Sequence, residues 1–310
     1  MTMAALAPVP AAKLPAAVTR IAAFVEGFSV EATRPSAADI AALAGVLARG
    51  ARVYVSAVPH RPAEESIAAA IRLRAAGFEP VPHVAVRNFA SAGALDDFLA
   101  RLSGEADVRH ALVVAGDRTE CGPFRRALDA IDSGVFRRRG FRGLGIAGYP
   151  EGHPKIGNDE LMRALGEKIA AAEATGLTVE IVTQFCFDAG AILNYVGRLR
   201  AFGFEQALRI GLVGPTSLSA LLRYAGRCGV RASAQALAQR SGMLRQLFAL
   251  TVPDDLIRVL AEAAPSGVHV HFFSFGGLPA TARWARAVAD GRIALDSAGG
   301  FTVAPPPREG

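Results

Sequence analysis

Short apolar runs rich in β-branched residues alternate along the chain with longer stretches of helical period. These runs predict eight strands, at residues 27–31, 52–57, 79–86, 110–115, 143–148, 178–184, 208–213 and 267–275. The runs at 111–114 and 210–213 lack polar alternation, which is typical of parallel strands that are covered on both faces. The pattern therefore favours a parallel sheet.

Helical segments are predicted after each strand, at residues 36–49, 63–76, 91–102, 123–131, 159–174, 188–202, 217–264 (in several pieces) and 279–289. Eight strand–helix units over about 250 residues predict an α/β fold, a single-domain (β/α)8 TIM barrel. A doubly wound sheet is the alternative, but the unbroken rhythm favours a closed barrel. The barrel is expected to span residues 20–295, between flexible tails at 1–19 and 296–310.

The composition of the chain excludes some classes of binding partner. The chain has 310 residues, 51% of them hydrophobic and 20% charged, which is the profile of a folded protein of enzyme size. Its net charge is +6, and of its 34 Lys and Arg residues only Lys13, Lys155 and Lys168 are lysines. Because the arginines are scattered and form no dense basic stripe, no nucleic-acid partner is predicted.

The cysteines and the termini favour a cytoplasmic protein. Cys121, Cys186 and Cys228 lie far apart without a Cys-x-x-Cys spacing, so neither a disulfide framework nor a zinc site is predicted. No stretch of about 18 apolar residues is present and the N-terminal segment lacks the pattern of a signal peptide, so no membrane partner is expected.

Polar residues cluster at the predicted carboxyl ends of the strands, where (β/α)8 barrels hold their active sites. They are Glu31, Ser56, His83, Asp117, Tyr149, Glu151, His153, Gln184, Asp188, His271 and Ser274. Polar side chains inside apolar strand runs are costly to bury without a purpose. The functional site is therefore predicted at this end of the barrel.

Two other motifs are set aside. Residues 143–148 match Gly-x-Gly-x-x-Gly, but they lie within a predicted strand and are followed by a Pro-rich segment, whereas a dinucleotide-binding loop must open a helix. His269 and His271 have the spacing that puts two imidazoles on one strand face, yet no third ligand lies nearby. A packed or hydrogen-bonded histidine is favoured over a metal ligand, and no metal site is predicted.

Residues 149–154 read Tyr-Pro-Glu-Gly-His-Pro and residues 183–188 read Thr-Gln-Phe-Cys-Phe-Asp, at two successive predicted strand ends. Together with Ser29-Val-Glu31 and the strand end at Asp117, they resemble the motifs of the methylenetetrahydrofolate reductase family in order and position. The resemblance covers roughly residues 20–290.

This resemblance implies a flavoprotein that passes a hydride from NAD(P)H through FAD to 5,10-methylenetetrahydrofolate, in a ping-pong reaction that yields 5-methyltetrahydrofolate. Two alternatives stay open. The chain could be a paralogue that oxidises 5-methyltetrahydrofolate in one-carbon catabolism, or a folate-binding barrel without catalysis. The expected partners are small molecules, and a homo-oligomer is left open.

The resemblance also implies the roles of single residues. Glu31 takes the place of the general acid, and Phe28 and Val30 are expected to raise its pKa by providing apolar surroundings. Asp117 matches the aspartate beside pterin and flavin, and Gln184 and Leu218 match folate-binding positions. The flavin-binding positions are His83, Gly116, Asp117, Ala147, Tyr149 and His153, with Lys168 near a phosphate-binding lysine.

The chain departs from the family at several of these motifs. Residues 29–35 keep the glutamate but lose the aromatic residues that follow it, and Ala115 stands where a flavin-contacting arginine is expected. Arg34, Arg87 or Arg118 could replace that guanidinium. Flavin affinity, the preferred reductant and the direction of the reaction are therefore left open.

Overall fold

The computed structural model describes residues 14–58, 61–119, 122–228 and 250–304. Its strands are β1 (Ser29–Ala32), β2 (Arg52–Val55), β3 (Glu79–Ala85), β4 (His110–Val114), β5 (Gly143–Gly148), β6 (Thr178–Phe185), β7 (Ala207–Val213), β8 (Thr216–Ser217), β9 (Leu250–Thr251), β10 (Val268–Phe273), β11 (Ile293–Leu295) and β12 (Phe301–Val303).

Eight of these strands close into a parallel barrel in the order β1, β10, β7, β6, β5, β4, β3, β2. Each of the eight predicted runs supplies one barrel strand, which confirms the single-domain (β/α)8 barrel. The strands β8 and β9 form a small antiparallel pair between β7 and β10.

The helices of the described chain are Ala16–Val25, Ala37–Ala41, Ala63–Ala75, Ala92–Glu105, Ala127–Asp132, Val135–Arg138, Asn158–Ala174, Ala189–Ala201, Leu218–Cys228, Asp254–Ala263 and Leu278–Ala289, with a short 3-10 helix at Val86–Asn88. Side chains cap the N-termini of several helices. Ser36 forms a capping box with Asp39, and the Asp188 carboxylate accepts a hydrogen bond from the backbone N–H of Ala191. The helix predicted at 36–49 ends at Ala41, and turns fill the rest of that segment. Of the predicted segment 217–264, residues 229–249 lie outside the described residues.

Part of each segment predicted as a tail belongs to the folded domain. Helix Ala16–Val25 begins inside the segment 1–19, because its apolar face packs against helices Asp254–Ala263 and Leu278–Ala289 and buries Val18. At the other end, β12 pairs with β11, and buried Phe301 stacks on Trp284 with ring centroids 6.1 Å apart. These hydrophobic contacts bring both segments into the folded domain, while residues 1–13 and 305–310 lie outside the described residues.

Alternation along the strands divides the core into two regions. Side chains such as Val30, Val53 and Ile210 join the large apolar cluster that includes helix residues. Inside the barrel, Tyr54, Val81, Leu112 and Val182 form a separate apolar cluster. Within the described residues, no helix combines the length and the apolar character that a membrane span requires.

Candidate active site

Glu31 lies near the carboxyl end of β1, where its strand neighbours are Tyr54 of β2 and Phe273 of β10. Neighbouring side chains of a strand point to opposite faces, so Val30 packs among the outer core residues while Glu31 points into the barrel. Only 9% of Glu31 is exposed. A carboxylate in this position requires polar partners, since an unpaired buried charge is costly.

Three side chains from other strands surround this carboxylate. The Ser56 hydroxyl donates to Oε1 at 2.5 Å. The Nε2 atoms of His83 and His271 both lie 3.4 Å from Oε2. The structure thus brings β1, β2, β3 and β10 together around one carboxylate, and it places His271 in a hydrogen-bonded role.

These partners keep Glu31 ionised. Burial alone would raise its pKa, but the charge of His83 and the hydrogen bonds and charge of His271, together with the Ser56 hydrogen bond, outweigh burial and lower the pKa from 4.5 to about 2. The expectation that Phe28 and Val30 raise this pKa is therefore wrong. Val30 belongs to the outer core, and Phe28 packs edge to face on Phe272 at 5.7 Å, so neither provides the surroundings of the carboxylate.

Burial lowers the pKa of His83, the charge of Glu31 opposes that effect, and the charge of His271 adds to it. A neutral His83 beside an ionised Glu31 is the consequence at neutral pH. The Glu31 carboxylate and the His83 imidazole therefore titrate as a coupled pair.

A chain of buried polar groups fixes the orientation of His271. Its Nδ1 lies 2.9 Å from the Ser29 hydroxyl, which also accepts from Arg209 at 3.4 Å. Because an arginine only donates, the Ser29 hydroxyl is free to give its own hydrogen to Nδ1. The remaining ring nitrogen, Nε2, then carries the hydrogen that faces Glu31.

Arg209 is held by an ion cluster deeper in the barrel. Its Nε donates to Glu180 at 2.9 Å, and Arg52 and the Tyr54 hydroxyl donate to the same carboxylate, each at 2.5 Å. Burial raises the pKa of Glu180, but the charges of Arg209 and Arg52 and the hydrogen bonds from Tyr54 and Arg209 outweigh burial, and the pKa is lowered. A continuous set of hydrogen bonds therefore runs from Glu180 through Arg209 and Ser29 to His271.

The residues matched to flavin binding gather at the ends of β4 and β5. Asp117 is exposed; burial raises the pKa of Tyr149, and the negative charge of Asp117 adds to the effect. The rings of Tyr149 and His153 meet edge to face at 5.5 Å. Gly116 has a positive φ of 89°, which favours glycine, and Ala147 is half-buried. The structure thus brings Asp117, Tyr149 and His153 to one side of the barrel mouth.

Of the three arginines proposed to replace the missing guanidinium, Arg87 is tied to the backbone. It donates to the carbonyls of Arg125 at 2.7 Å and Gly116 at 3.3 Å. Arg34 is 58% exposed and lies 3.4 Å from Glu65, and Arg118 follows Asp117 in its loop. Arg87 therefore shapes the loop that carries Gly116 and Asp117.

Gln184 lies half-buried at the end of β6, where the pairing with β7 is irregular. The bulge between Val182 and Phe185 places Phe185 in an aromatic cluster with Phe273. Leu218 begins helix Leu218–Cys228 and is fully buried. Both lie on the side of the barrel mouth opposite β2 and β3.

Lys168 lies in helix Asn158–Ala174, ten residues after its start and so about 15 Å along the helix axis. Burial lowers the pKa of its ammonium group, against an opposing effect of Glu167. Leu165, one turn earlier, lines a small cavity together with Tyr149. The lysine therefore belongs to the outer helical layer and not to the strand ends, and its role stays a prediction.

A groove with a volume of about 830 Å³ opens beside this cluster. Its inner end includes Ser56 and His83, and it continues between helices Ala63–Ala75 and Ala92–Glu105. Pockets of roughly 300–1,000 Å³ are the usual size for small-molecule sites. Among the described residues, no group of three His, Cys, Asp or Glu side chains is arranged as metal ligands would be.

The sequence predicts Glu31, Ser56, His83 and His271 at strand ends but does not connect them. It gives Ser29 only as part of a motif, and it does not indicate a role for Arg209 or Glu180. Their positions in the sequence could have identified these residues. Ser29 precedes Glu31 by two residues and so lies on the same strand face, and Arg209 and Glu180 are charged residues within apolar strand runs.

No protein-family model matches the sequence. A 107-residue segment is 30% identical to methylenetetrahydrofolate reductase 2 of Saccharomyces cerevisiae, which amounts to 34% of this chain and 17% of the yeast protein. Among solved structures, the crystal structure of a β-mannanase from Streptomyces thermolilacinus with mannohexaose has 16% sequence identity and a TM-score of 0.44, over 81% of this chain and 78% of that chain.

Proposed function

We propose that this chain is a divergent relative of the methylenetetrahydrofolate reductases and an oxidoreductase that acts on a reduced folate; the similarity of a 107-residue segment to one such enzyme supports this. In its specific form, the proposal is the FAD-dependent reduction of 5,10-methylenetetrahydrofolate to 5-methyltetrahydrofolate with NAD(P)H. The observation that carries it is the Glu31 carboxylate, held between His83, His271 and Ser56 at the edge of a groove of small-molecule size.

The reaction requires one proton. Opening the methylene bridge breaks the bond between the bridging carbon and N10, and N10 takes up a proton as the N5 iminium cation forms. A hydride added to the iminium carbon then gives the N5 methyl group. A proton donor beside the pterin is therefore necessary, and a buried carboxyl that is protonated when the folate is bound can serve as one.

The low pKa of Glu31 is that of the free protein, in which the groove beside it is open to water. A substrate that covers the groove removes water, and low dielectric surroundings favour the uncharged form. Glu31 then takes up one proton from solvent as the folate binds, and it passes this proton to N10.

The residues at the ends of β3, β4 and β5 suit a flat ring system. Gly116 follows β4 and Ala147 lies near the end of β5, so neither position carries a large side chain, and the edge-to-face pair of Tyr149 and His153 offers ring faces beside them. We expect these residues, with His83, to hold FAD, and Lys168 stays the predicted phosphate contact. When bound, the flavin would accept a hydride from NAD(P)H and donate one to the folate.

Asp117 is expected to act through its charge. An exposed carboxylate at the end of β4 favours a cation nearby, and the iminium form of the folate is the cation that appears in this reaction. Gln184, with both donor and acceptor atoms, is expected to bind the mixed donor and acceptor edge of the pterin.

The reverse reaction uses the same groups, since a catalyst serves both directions. Oxidation of 5-methyltetrahydrofolate would require an ionised Glu31 that accepts the N10 proton, and Glu31 is ionised in the free protein. A folate-binding barrel without catalysis is the less economical proposal, because binding alone does not require a buried carboxylate with two imidazole partners.

The Glu31→Gln variant tests the proposal. It keeps the size of the side chain but cannot carry the proton, so folate reduction should fall by about 100-fold or more, while oxidation of NAD(P)H by the flavin stays nearly unchanged. Stopped-flow absorbance measures the two half-reactions separately. An equal loss in both half-reactions would contradict an acid role for Glu31 that is confined to the folate step.

A further inference from the structure

The ion cluster inside the barrel contains one more arginine than charge balance requires. Arg52 and Arg209 both bind Glu180, and the Tyr54 hydroxyl donates to the same carboxylate. The side chains of Arg209 and Glu180 are only 12% and 14% exposed. A second arginine at a carboxylate that is already paired leaves a positive charge in the protein interior, where charges are costly. This cost indicates a further task for one of the two arginines.

The two arginines differ in their other contacts. Arg209 also points its Nη1 at the Ser29 hydroxyl, 3.4 Å away, whereas Arg52 interacts with Glu180 and Tyr54. A guanidinium is a rigid fork, so the hydrogen bond from Nε of Arg209 to Glu180 fixes the direction of Nη1. Glu180 therefore aims Arg209 at Ser29.

Ser29 and His271 meet because β1 and β10 pair in register at these two residues. They are 1% and 0% exposed, so bulk water does not compete for their polar atoms. The Ser29 hydroxyl accepts from Arg209 and gives its own hydrogen to Nδ1 of His271, 2.9 Å away. Nδ1 then carries no hydrogen, and the single hydrogen of the neutral ring is on Nε2, 3.4 Å from Oε2 of Glu31.

Two aromatic rings hold the plane of the His271 ring. Tyr54 and Phe273 both contact it edge to face, with ring centroids 4.6 Å and 5.0 Å away. The Tyr54 hydroxyl donates to Glu180, so the carboxylate that aims Arg209 also anchors this ring. The cluster thus fixes both the orientation of the imidazole and the position of its hydrogen.

The titratable and charged groups around Glu31 and His271 come from five barrel strands. They are Arg52 and Tyr54 of β2, His83 of β3, Glu180 of β6, Arg209 of β7 and His269 of β10. Burial raises the pKa of Glu31, and the charge of His83 and the hydrogen bond from His271 are the largest effects that lower it. Weakening the hydrogen bond from His271 therefore raises the pKa of Glu31, because that bond favours the ionised carboxyl.

We propose that Arg209 and Ser29 are positioning residues for the folate step: they hold His271 with its hydrogen on Nε2, toward Glu31, and so set the pH range in which Glu31 is protonated. This inference rests on the proposed function and extends its site into the barrel interior. An ion cluster that served only the stability of the barrel would not require Arg209 to reach beyond Glu180.

Nitrogen-15 NMR of the full chain, labelled at histidine, tests the position of the hydrogen without folate or flavin. The protonated and the unprotonated nitrogen of a neutral imidazole give separate signals, and the loss of signals in His271→Asn assigns those of His271. We expect a hydrogen on Nε2 and none on Nδ1 at mildly alkaline pH. A hydrogen on Nδ1 would overturn the proposal.

Ser29→Ala should raise the pKa of Glu31 by about one unit, the effect of one charge-assisted hydrogen bond, and Arg209→Met should change it in the same direction. Urea unfolding measures this change without activity. Each variant is compared with the same variant that also carries Glu31→Gln. The pH-dependent part of that difference in the free energy of unfolding should be smaller than in the unmodified chain, by about a third or more for Ser29→Ala.

Arg52→Met is the matched control for Arg209→Met. Both variants remove one arginine from Glu180 and leave the other, but only Arg209 donates to Ser29. Arg52→Met should therefore keep the pH dependence of the unmodified chain. An equal pH dependence in the two arginine variants would overturn the proposal.

The pH profile of the folate half-reaction gives a second readout. In Ser29→Ala, the pH of half-maximal rate should rise by about one unit, and Ser29→Thr, which keeps the hydroxyl, should restore the original profile. Reduction of the flavin by NAD(P)H should keep its profile in both variants. A purely structural role for Ser29 would instead lower the rate of the folate step by the same factor at every pH.

Failure of the proposed function is visible separately. If the chain converts no folate, but the NMR and unfolding results are as expected, the hydrogen-bond arrangement is supported and the folate chemistry is contradicted. If the chain converts folate with the same pH profile in Ser29→Ala as in the unmodified protein, the chemistry is supported and the positioning role is overturned.

Discussion

Glu31 shows how a few side chains change the chemistry of one residue. The apolar residues next to it in sequence predict a raised pKa, yet the groups that touch its carboxylate are Ser56, His83 and His271. Sequence neighbours on a strand point to the opposite face, so they report on the outer core and not on the surroundings of the carboxylate. Its candidate role follows from the sequence, whereas its protonation state requires the fold.

The lowered pKa of Glu31 predicts a specific dependence of stability on pH. Because the folded-state pKa of about 2 lies below the ordinary 4.5, ionised Glu31 stabilises the folded protein above pH 4.5, and this contribution is lost as the pH falls toward 2. Relative to Glu31→Gln, the free energy of unfolding of the unmodified protein should fall by on the order of 2 kcal/mol between about pH 6 and about pH 3.

Urea unfolding of both proteins at each pH measures this difference. Glu79 and Glu180, whose pKa values are also lowered, are present in both proteins and cancel in the comparison. A difference that is constant with pH would mean that the pKa of Glu31 is not lowered by folding.

At the scale of the elements, the hydrophobic pattern of the sequence predicts the strands well, because each strand is a continuous apolar run. It predicts the helices less well after β1 and β4, where helix Ala37–Ala41 and helix Ala127–Asp132 are shorter than their segments. The bulge in β6 was not predictable, because it depends on the neighbouring strand. There Gly211 donates to the Thr183 hydroxyl at 2.8 Å and accepts from Cys186 at 3.1 Å.

This bulge depends on a close approach that glycine alone permits. A Cβ atom at Gly211 would lie 2.6 Å from the Thr183 carbonyl oxygen and 2.8 Å from the Phe273 ring. Gly211→Ala should therefore lower the free energy of unfolding by about 2 kcal/mol or more. It should also weaken folate binding if Gln184, which the bulge carries, binds the pterin as we propose.

Gly197→Ala is the matched control, since Gly197 lies within helix Ala189–Ala201 and a Cβ atom there meets nothing within 4 Å. It should stabilise the protein by about 0.5–1 kcal/mol. Urea unfolding of the two variants gives the comparison, and equal stability of both would show that the close approach at the bulge is not needed.

At the scale of the whole molecule, the barrel brings together residues that the sequence keeps far apart. Glu31 and His271 are separated by 240 positions, and Arg52 and Glu180 by 128. The rhythm of eight strand–helix units predicts closure, and closure makes β1 and β10 neighbours. Which side chains then meet inside depends on strand register, which the pattern of single runs does not determine. The sequence therefore predicts where the site lies in the barrel, but it predicts only some of the contacts between its side chains.

We propose that this barrel transfers a hydride to a reduced folate. The most direct measurement follows the visible absorbance of the purified protein with added FAD under anaerobic conditions, first with NADH or NADPH and then with 5,10-methylenetetrahydrofolate. We predict bleaching of the flavin by one of the pyridine nucleotides, recovery on addition of the folate and formation of one 5-methyltetrahydrofolate per flavin. No conversion of the folate in either direction, by folded protein supplied with FAD and both nucleotides, would contradict the account.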